Sequence, residues 1–328
     1  MPHIKNILVP IDTHENAGPV VQWASLFAHA TQSRLTLVHV NESLEFLKAR
    51  PGLHGGGFPG LDTTLEKWGK QYQQEAQTTM KQLAQHYCAE ASVIFLTLEG
   101  RAVPTIFRTM ETDSSDLVVM GTHGRPWYQR AFLGSTAEAV LRSAKVPVLI
   151  VPNHAPSSQP VRMERMLFST DFSPASATGE EWLRYLTERG VKEAVIVHAI
   201  ENPLLDVYAP DDAQLDLKHV SEKSRQHAPR SAQPYWEHAH RQAKDKLGVI
   251  QRQYLESQSP GIRADILDIE GPPGVAILNA ATQHNSDFIV MATHGRTGVR
   301  RFVLGSVTEN VIRSSICPVL AIPSRTRE

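Results

Sequence analysis

The chain has 328 residues, 41% of them apolar and 20% charged, which is the composition of folded domains rather than of a disordered chain. Lys plus Arg (33) nearly cancels Asp plus Glu (34), so no global field draws it to nucleic acid or to an anionic membrane. No run of 18 apolar residues occurs, the start MPHIKNILVP lacks an apolar signal core, and two cysteines, Cys88 and Cys317, offer no disulfide framework. These features predict a cytoplasmic protein with room for two ordinary domains.

In chain order, the first elements are a β run (ILVPI), a helix over 17–32, a strand over 34–40 (RLTLVHV) and a long polar stretch. A helix around 64–90, a strand (SVIFLTLE), a helix over 102–112 and the strand DLVVMGT follow. A glycine-containing loop then opens a helix with Ser135 near its start, and VPVLIVP closes the set. Continuous Val/Ile/Leu runs joined by helices mean parallel βαβ units with both sheet faces covered.

The pattern then repeats. Residues 119–152 return at 290–323, with Met120 opposite Met291, Gly134 opposite Gly305 and Ser135 opposite Ser306, all 171 apart. Earlier landmarks, Asp12 with Asp171 and His39 with His198, are 159 apart, so the second copy gained about 12 residues between its second and third strands. An internal repeat of this kind fixes the organisation before any local signal does. The boundaries follow: a first domain over 1–152, a polar linker over 153–161 and a second domain over 162–328. Right-handed crossovers give each domain a doubly wound five-stranded parallel sheet in the order 3-2-1-4-5, with helices on both faces. The fifth strands, apolar edges if unpaired, are expected to pair the two domains as a pseudo-dimer, and whole chains to pair further as a homodimer.

In such a sheet, ligands sit outside the carboxyl ends of the strands where the winding reverses. Asp12 follows strand 1 and Gly121 ends strand 4, so the two meet at one crevice; Asp171 and Ala292 do so in the second copy. A loop that cradles phosphate needs backbone N–H groups and no obstructing side chains, which glycine supplies together with access to positive φ. Gly134, Ser135 and Thr136 then open a helix whose free N–H groups favour an anion. A tight strand–helix turn with no ligand is the competing reading, weakened by the recurrence of the loop in both copies.

The spacing Gly121-x2-Gly124-x9-Gly134-Ser135 resembles the G-x2-G-x9-G-(S/T) motif of the ATP-binding universal stress proteins, and both halves of the chain carry the resemblance. It implies a tandem member binding ATP, alone or with Mg²⁺, and acting in stress response with at most slow hydrolysis. Asp12 would hold ribose or adenine, and the backbone around Val40, after strand 2, would meet adenine. Gly121, His123 and Gly124 would line ribose and phosphates, and Gly134, Ser135 and Thr136 would hold the phosphates. The matching positions are Asp171, Ala199, Ala292, His294, Gly295, Gly305, Ser306 and Val307. The copies are unequal: Ala292 replaces a glycine, and Pro126-Trp127 stands where the second copy has Thr297-Gly298. At least one site is expected to bind, the second ahead of the first.

Arg125, Arg130, Arg296, Arg300 and Arg301 are either phosphate ligands or solvated loop residues. His123 and His294 are expected to shape the loop rather than to transfer protons. His238 and His240, with His227 nearby, do not predict a metal site, because an HxH pair on a helix points its rings about 200° apart. Residues 50–60 and 201–235 read as loops or lids over the crevices. No GxxxxGK(S/T) stretch supports P-loop chemistry, and PIDTHENA and STDFSPAS lack the motifs of adenylyl-transferring enzymes. A nucleotide-free scaffold with an unidentified protein partner remains the alternative function.

Overall fold

A computed structural model describes residues 2–13, 15, 17–42, 61–88, 91–122, 133–152, 161–200, 233–253, 263–270, 272–293 and 304–324, the side chains of 61–66, 233–236 and 263–270 excepted. The contacts divide the chain into two compact units, His3–Val161 and Arg162–Glu328 with Met1–Pro2.

The first unit runs β1 (Asn6–Pro10), α1 (Gly18–Thr31), β2 (Arg34–Asn41), α2 (Leu61–Tyr87), β3 (Val93–Glu99), α3 (Ala102–Thr112), β4 (Leu117–Gly121), α4 (Ser135–Ser143) and β5 (Val148–Val151). Its strands lie in the order β3-β2-β1-β4-β5, all parallel. The second unit runs β6 (Arg165–Ser169), α5 (Pro174–Thr187), β7 (Glu193–Ile200), α6 (Gln233–Gln251), β8 (Arg263–Glu270), α7 (Pro273–Gln283), β9 (Phe288–Ala292), α8 (Ser306–Ser314) and β10 (Val319–Ile322). Its order, β8-β7-β6-β9-β10, repeats the first, again parallel. The doubly wound arrangement expected from the sequence is therefore present in each unit.

The central strands explain the unbroken apolar runs. Ile7, Leu8 and Val9 of β1, and Met166, Leu167 and Phe168 of β6, are fully buried, because helices cover both faces. In α5, Gly179 sits mid-helix, where glycine normally costs about 1 kcal/mol relative to alanine. A Cβ there would stand 2.8 Å from the Phe168 ring, so the glycine allows helix and strand to approach.

Each β1-type strand is also pinned at its start. One carboxylate oxygen of Asp116 accepts from the backbone N–H groups of Lys5 and Asn6, at 2.8 and 3.0 Å. Asp287 does the same for Glu164 and Arg165, at 2.9 and 2.8 Å. The Asp before strand 4 thus sets the height of strand 1, and with it the place where strand 1 ends.

Cys317 leads into β10, and burial pushes its thiol up to about 11, against a hydrogen bond shared with Ser315 that lowers it. At pH 8 the thiolate fraction is then about 0.1%, so iodoacetamide should alkylate Cys317 roughly a hundredfold more slowly than an ordinary thiol. The rate should climb as pH rises toward 11. Mass-spectrometric kinetics check this; a rate within threefold of glutathione would contradict the buried environment.

Candidate crevices at the carboxyl ends of the sheets

In both units the crevice is a step in the sheet. β1 has five residues and β2 eight, and the last hydrogen bond between them runs from Ile11 N–H to the Val38 carbonyl. In a parallel strand, alternate residues face alternate neighbours. Arg34 and Val38 bond toward β1 while Leu35 bonds toward β3, so Val40 presents its N–H and carbonyl on the β1 side, past the end of β1. Thr170 N–H closes β6 against the Val197 carbonyl, which leaves Ala199 in the same position. Val40 and Ala199 accordingly lie inside β2 and β7, paired in register with Leu98 and Ile269, rather than after the strand as the sequence reading had Val40. Strand 2 outruns strand 1, and that overhang is the backbone ledge.

The opposite wall comes from strand 4 and the helix after it. β1 and β4 are neighbours, with Ile7 opposite Leu117, and Met166 of β6 is likewise opposite Phe288 of β9. Gly121 and Ala292 end β4 and β9. The chain returns at Gly134, whose N–H donates to the Thr122 carbonyl at 2.8 Å; Gly305 donates to Thr293 at 2.9 Å. This staple fastens the first turn of α4, and of α8, beside the end of strand 4. Ser135 and Ser306 are exposed there, Thr136 and Val307 half-buried, and neither helix has a side-chain cap. The N–H groups of the first turn are left for solvent or a ligand.

The glycines require one correction. Gly134 has φ −60° and Gly305 φ −62°, ordinary extended backbone, so positive φ is not the reason for glycine at either position. What they lack is a side chain at the helix mouth. Glu138 and Glu309 would set negative charge in the same first turns, but each is paired with an arginine one turn on, Arg142 and Arg313. A further difference between the copies is Thr308, whose hydroxyl donates to the Ala292 carbonyl at 2.9 Å where the first unit has Ala137.

His39 and His198, recognised in the sequence only as repeat markers, prove to be built into the floor. Both are buried, on strand 2, and reach across to strand 1. His39 Nδ1 lies 3.1 Å from the Ile11 carbonyl and His198 Nδ1 2.8 Å from that of Thr170. A carbonyl only accepts, so Nδ1 carries the proton in His198, whereas His39 Nδ1 also faces the Thr13 N–H at 3.4 Å, a donor that needs its lone pair. His39 Nε2 shares a hydrogen bond of 3.1 Å with the Tyr72 hydroxyl. Each imidazole thus holds the peptide that immediately precedes Asp12 or Asp171. Their 159-residue spacing was the available signal; their role needed the third dimension.

The two rims differ in charge. Asp12 is exposed. Lost hydration first, and the Asp12 carboxylate second, push the Glu15 carboxyl up, and the same two causes, with Glu75, push the Tyr72 phenol up. In the second unit Asp171 Oδ1 accepts from Ser173 N–H at 3.0 Å, while Ser173 caps α5 through Ser176 N–H. Between them Phe172 has φ 58°, a left-handed conformation that costs a bulky side chain on the order of 1–3 kcal/mol. Two contacts hold it: its N–H donates to Thr170 Oγ1, and its ring stacks on His198 with centroids 4.3 Å apart. The Lys246 ammonium stands 5.1 Å from the Phe172 ring centroid.

His123, Gly124, Arg125, Pro126, Trp127 and Arg130, with His294, Gly295, Arg296, Thr297, Gly298, Arg300 and Arg301, lie outside the described residues, as do 50–60 and 201–232. His238 pairs with Gln242 on its own helix, at 2.9 Å. No described helix is long and apolar enough to cross a membrane. A cavity of about 210 Å³ is found at the other end of the second sheet, among Arg165, Glu193 and His284 rather than at the crevice.

A doubly wound α/β unit, duplicated, with an uncapped helix N-terminus at each winding reversal, is the class of protein that this geometry defines. The sequence pattern of the universal stress protein family matches residues 3–152 and again 163–323, and the chain belongs to that family. A universal stress protein of Mycolicibacterium smegmatis is 23% identical over 325 residues, covering 97% of both chains. Universal stress protein MJ0577 of Methanocaldococcus jannaschii is 25% identical over 162 residues, 49% of this chain and 96% of its own. Among solved structures, a universal stress protein from Archaeoglobus fulgidus shares the fold at a TM-score of 0.60 and 20% identity, with all of both chains covered.

Proposed function

We propose that the crevices bind an adenine nucleotide, ATP foremost, and that the chain acts as a stress-response regulator whose occupied state is read by a partner, with at most slow hydrolysis. One observation carries the reading: in both units the strand-4 loop is stapled shut at Gly134 or Gly305, which aims an uncapped helix N-terminus across the gap from the backbone ledge of strand 2. Nucleotide phosphates suit the first, where several N–H donors converge with the positive end of the helix. Adenine suits the second, where Val40 and Ala199 present one donor and one acceptor each, spaced along an open strand edge.

On this reading Asp12 and Asp171 accept from ribose hydroxyls or adenine. Gly121, Gly124, Ala292 and Gly295 line ribose and phosphates, with His123 and His294 shaping the loop. Gly134, Ser135 and Thr136, and Gly305, Ser306 and Val307, hold the phosphates. Mg²⁺, where present, enters with the nucleotide. A mechanism for fast turnover would need a positioned base, and the two buried imidazoles, His39 and His198, are committed to the strand-1 peptides.

A second reading, a nucleotide-free scaffold, is favoured for the first unit by the acidic pair Asp12 and Glu15, which opposes an anionic ligand. Calorimetric titration with ATP distinguishes the two, together with identification of any nucleotide released when the purified chain is heat-denatured. Two equivalents bound mean both crevices work, and one equivalent means the first is a scaffold. No binding at millimolar ATP overturns the nucleotide reading altogether.

A further inference from the structure

The cavity at the amino-terminal end of the second sheet has no counterpart role in nucleotide binding, and its lining has a pattern that the first unit explains. It is walled by Arg165, Met166, Glu193, Val195, His284, Asn285 and Ser286. In the first unit the matching positions are filled by the chain itself. The Arg34 guanidinium lies 2.7 Å from an Asp113 oxygen, and the Thr36 hydroxyl donates to the other oxygen at 3.0 Å. By the repeat offsets of 159 and 171, Arg34 becomes Glu193, Thr36 becomes Val195 and Asp113 becomes His284. The internal cation–anion pair has gone, and the space it filled is open.

What remains is a set of polar groups without partners. Glu193, His284 and Asn285 have no side-chain hydrogen bond or ion pair, and Ser286 Oγ is buried with none. The Ser286 hydroxyl is not part of this contrast, since its counterpart Ser115 is equally unmatched in the filled first unit. Arg165 and Glu193 are register partners on adjacent strands, yet they form no ion pair with each other. Arg165 instead makes a single 3.4 Å contact with Asp287, whose other oxygen is taken by backbone, so most of its donors are uncommitted. Opposite charges side by side but not paired with each other, over an apolar floor of Met166 and Val195, match a ligand that carries both charges.

We propose that this cavity binds a small zwitterion of amino-acid size, bearing one ammonium and one carboxylate group. The ammonium is taken by Glu193 with the Asn285 side chain. The carboxylate is taken by the Arg165 fork. The ligand supplies the cation–anion pair that Arg34 and Asp113 supply in the first unit. The cavity lies at the opposite end of the strands from the crevices, so this proposal stands or falls independently of nucleotide binding.

The test is a titration of the full chain with a mixture of the twenty common L-amino acids, followed by ligand-observed NMR. Ethylammonium, acetate and Zn²⁺ are run separately. At least one amino acid should bind saturably, and Glu193→Gln, an exposed and isosteric change, should weaken it at least tenfold. The double variant Glu193→Arg with His284→Asp rebuilds the first unit's pair and should abolish binding while leaving the melting temperature unchanged or higher. Absence of saturable binding at about 10 mM, the weak limit of specific recognition, overturns the proposal. So does binding indifferent to Glu193→Gln, or acetate, ethylammonium or Zn²⁺ binding as tightly as the amino acid.

Discussion

Replacing both helix-mouth glycines, Gly134→Val with Gly305→Val, should abolish nucleotide binding without unfolding the chain. Because their backbones sit near φ −60° and ψ 140–145°, a region that valine adopts readily, neither substitution strains the main chain. The staples to Thr122 and Thr293 use backbone atoms and survive. What changes is the mouth of the helix, where two methyl groups now stand in front of the free N–H donors. Losing two charge-assisted hydrogen bonds to phosphate at about 1.5 kcal/mol each is about 3 kcal/mol, or roughly 150-fold in affinity. The single variants apportion the sites: each should remove one equivalent of ATP in calorimetry if both crevices bind. A double variant with wild-type affinity would place the phosphates elsewhere.

The conformation of these glycines also shows where sequence reasoning stops. The strand order, the repeat and the helix openings at Ser135 and Ser306 were legible, because apolar runs, crossover handedness and duplication each constrain topology. Glycine's reason for being there was not. A sequence reports that a side chain is missing, but whether φ or space demands it depends on coordinates. Val40 shows the same limit. The run RLTLVHV predicted a strand ending at Val40, one residue short of Asn41, but apolar runs say nothing of how far the neighbouring strand extends. The ledge exists only as a difference in length between β1 and β2. Asp116, the first residue of the predicted strand DLVVMGT, and Asp287 drew no such reading, since a carboxylate that pins a backbone more than a hundred positions away leaves no local trace.

His198 was the least legible of the site residues and carries the second large expectation. Its imidazole links three things that sequence keeps apart: the Thr170 carbonyl, the left-handed Phe172 and the strand that offers Ala199. In His198→Ala the Thr170 carbonyl loses its donor and a buried ring leaves a void, together about 2–4 kcal/mol. For a unit of this size that is a fall of roughly 4–16 °C in melting temperature. Phe172, no longer held by the stack, should relax out of φ 58°, swinging Asp171 with it. ATP affinity at the second crevice should therefore drop further than stability alone explains. His198→Phe separates the two contributions, because it keeps an aromatic surface for Phe172 and removes only the hydrogen bond. It should recover part of the stability and little of the binding. His39→Ala offers the internal control: its ring also holds the strand-1 carbonyl, but Thr13 stands where Phe172 does, so stability should fall with no strained turn to release. Thermal unfolding and ATP calorimetry on the three variants decide the matter, and a His198→Ala chain that melts within about 1 °C of the parent would show that the turn is held by Thr170 and Ser173 alone.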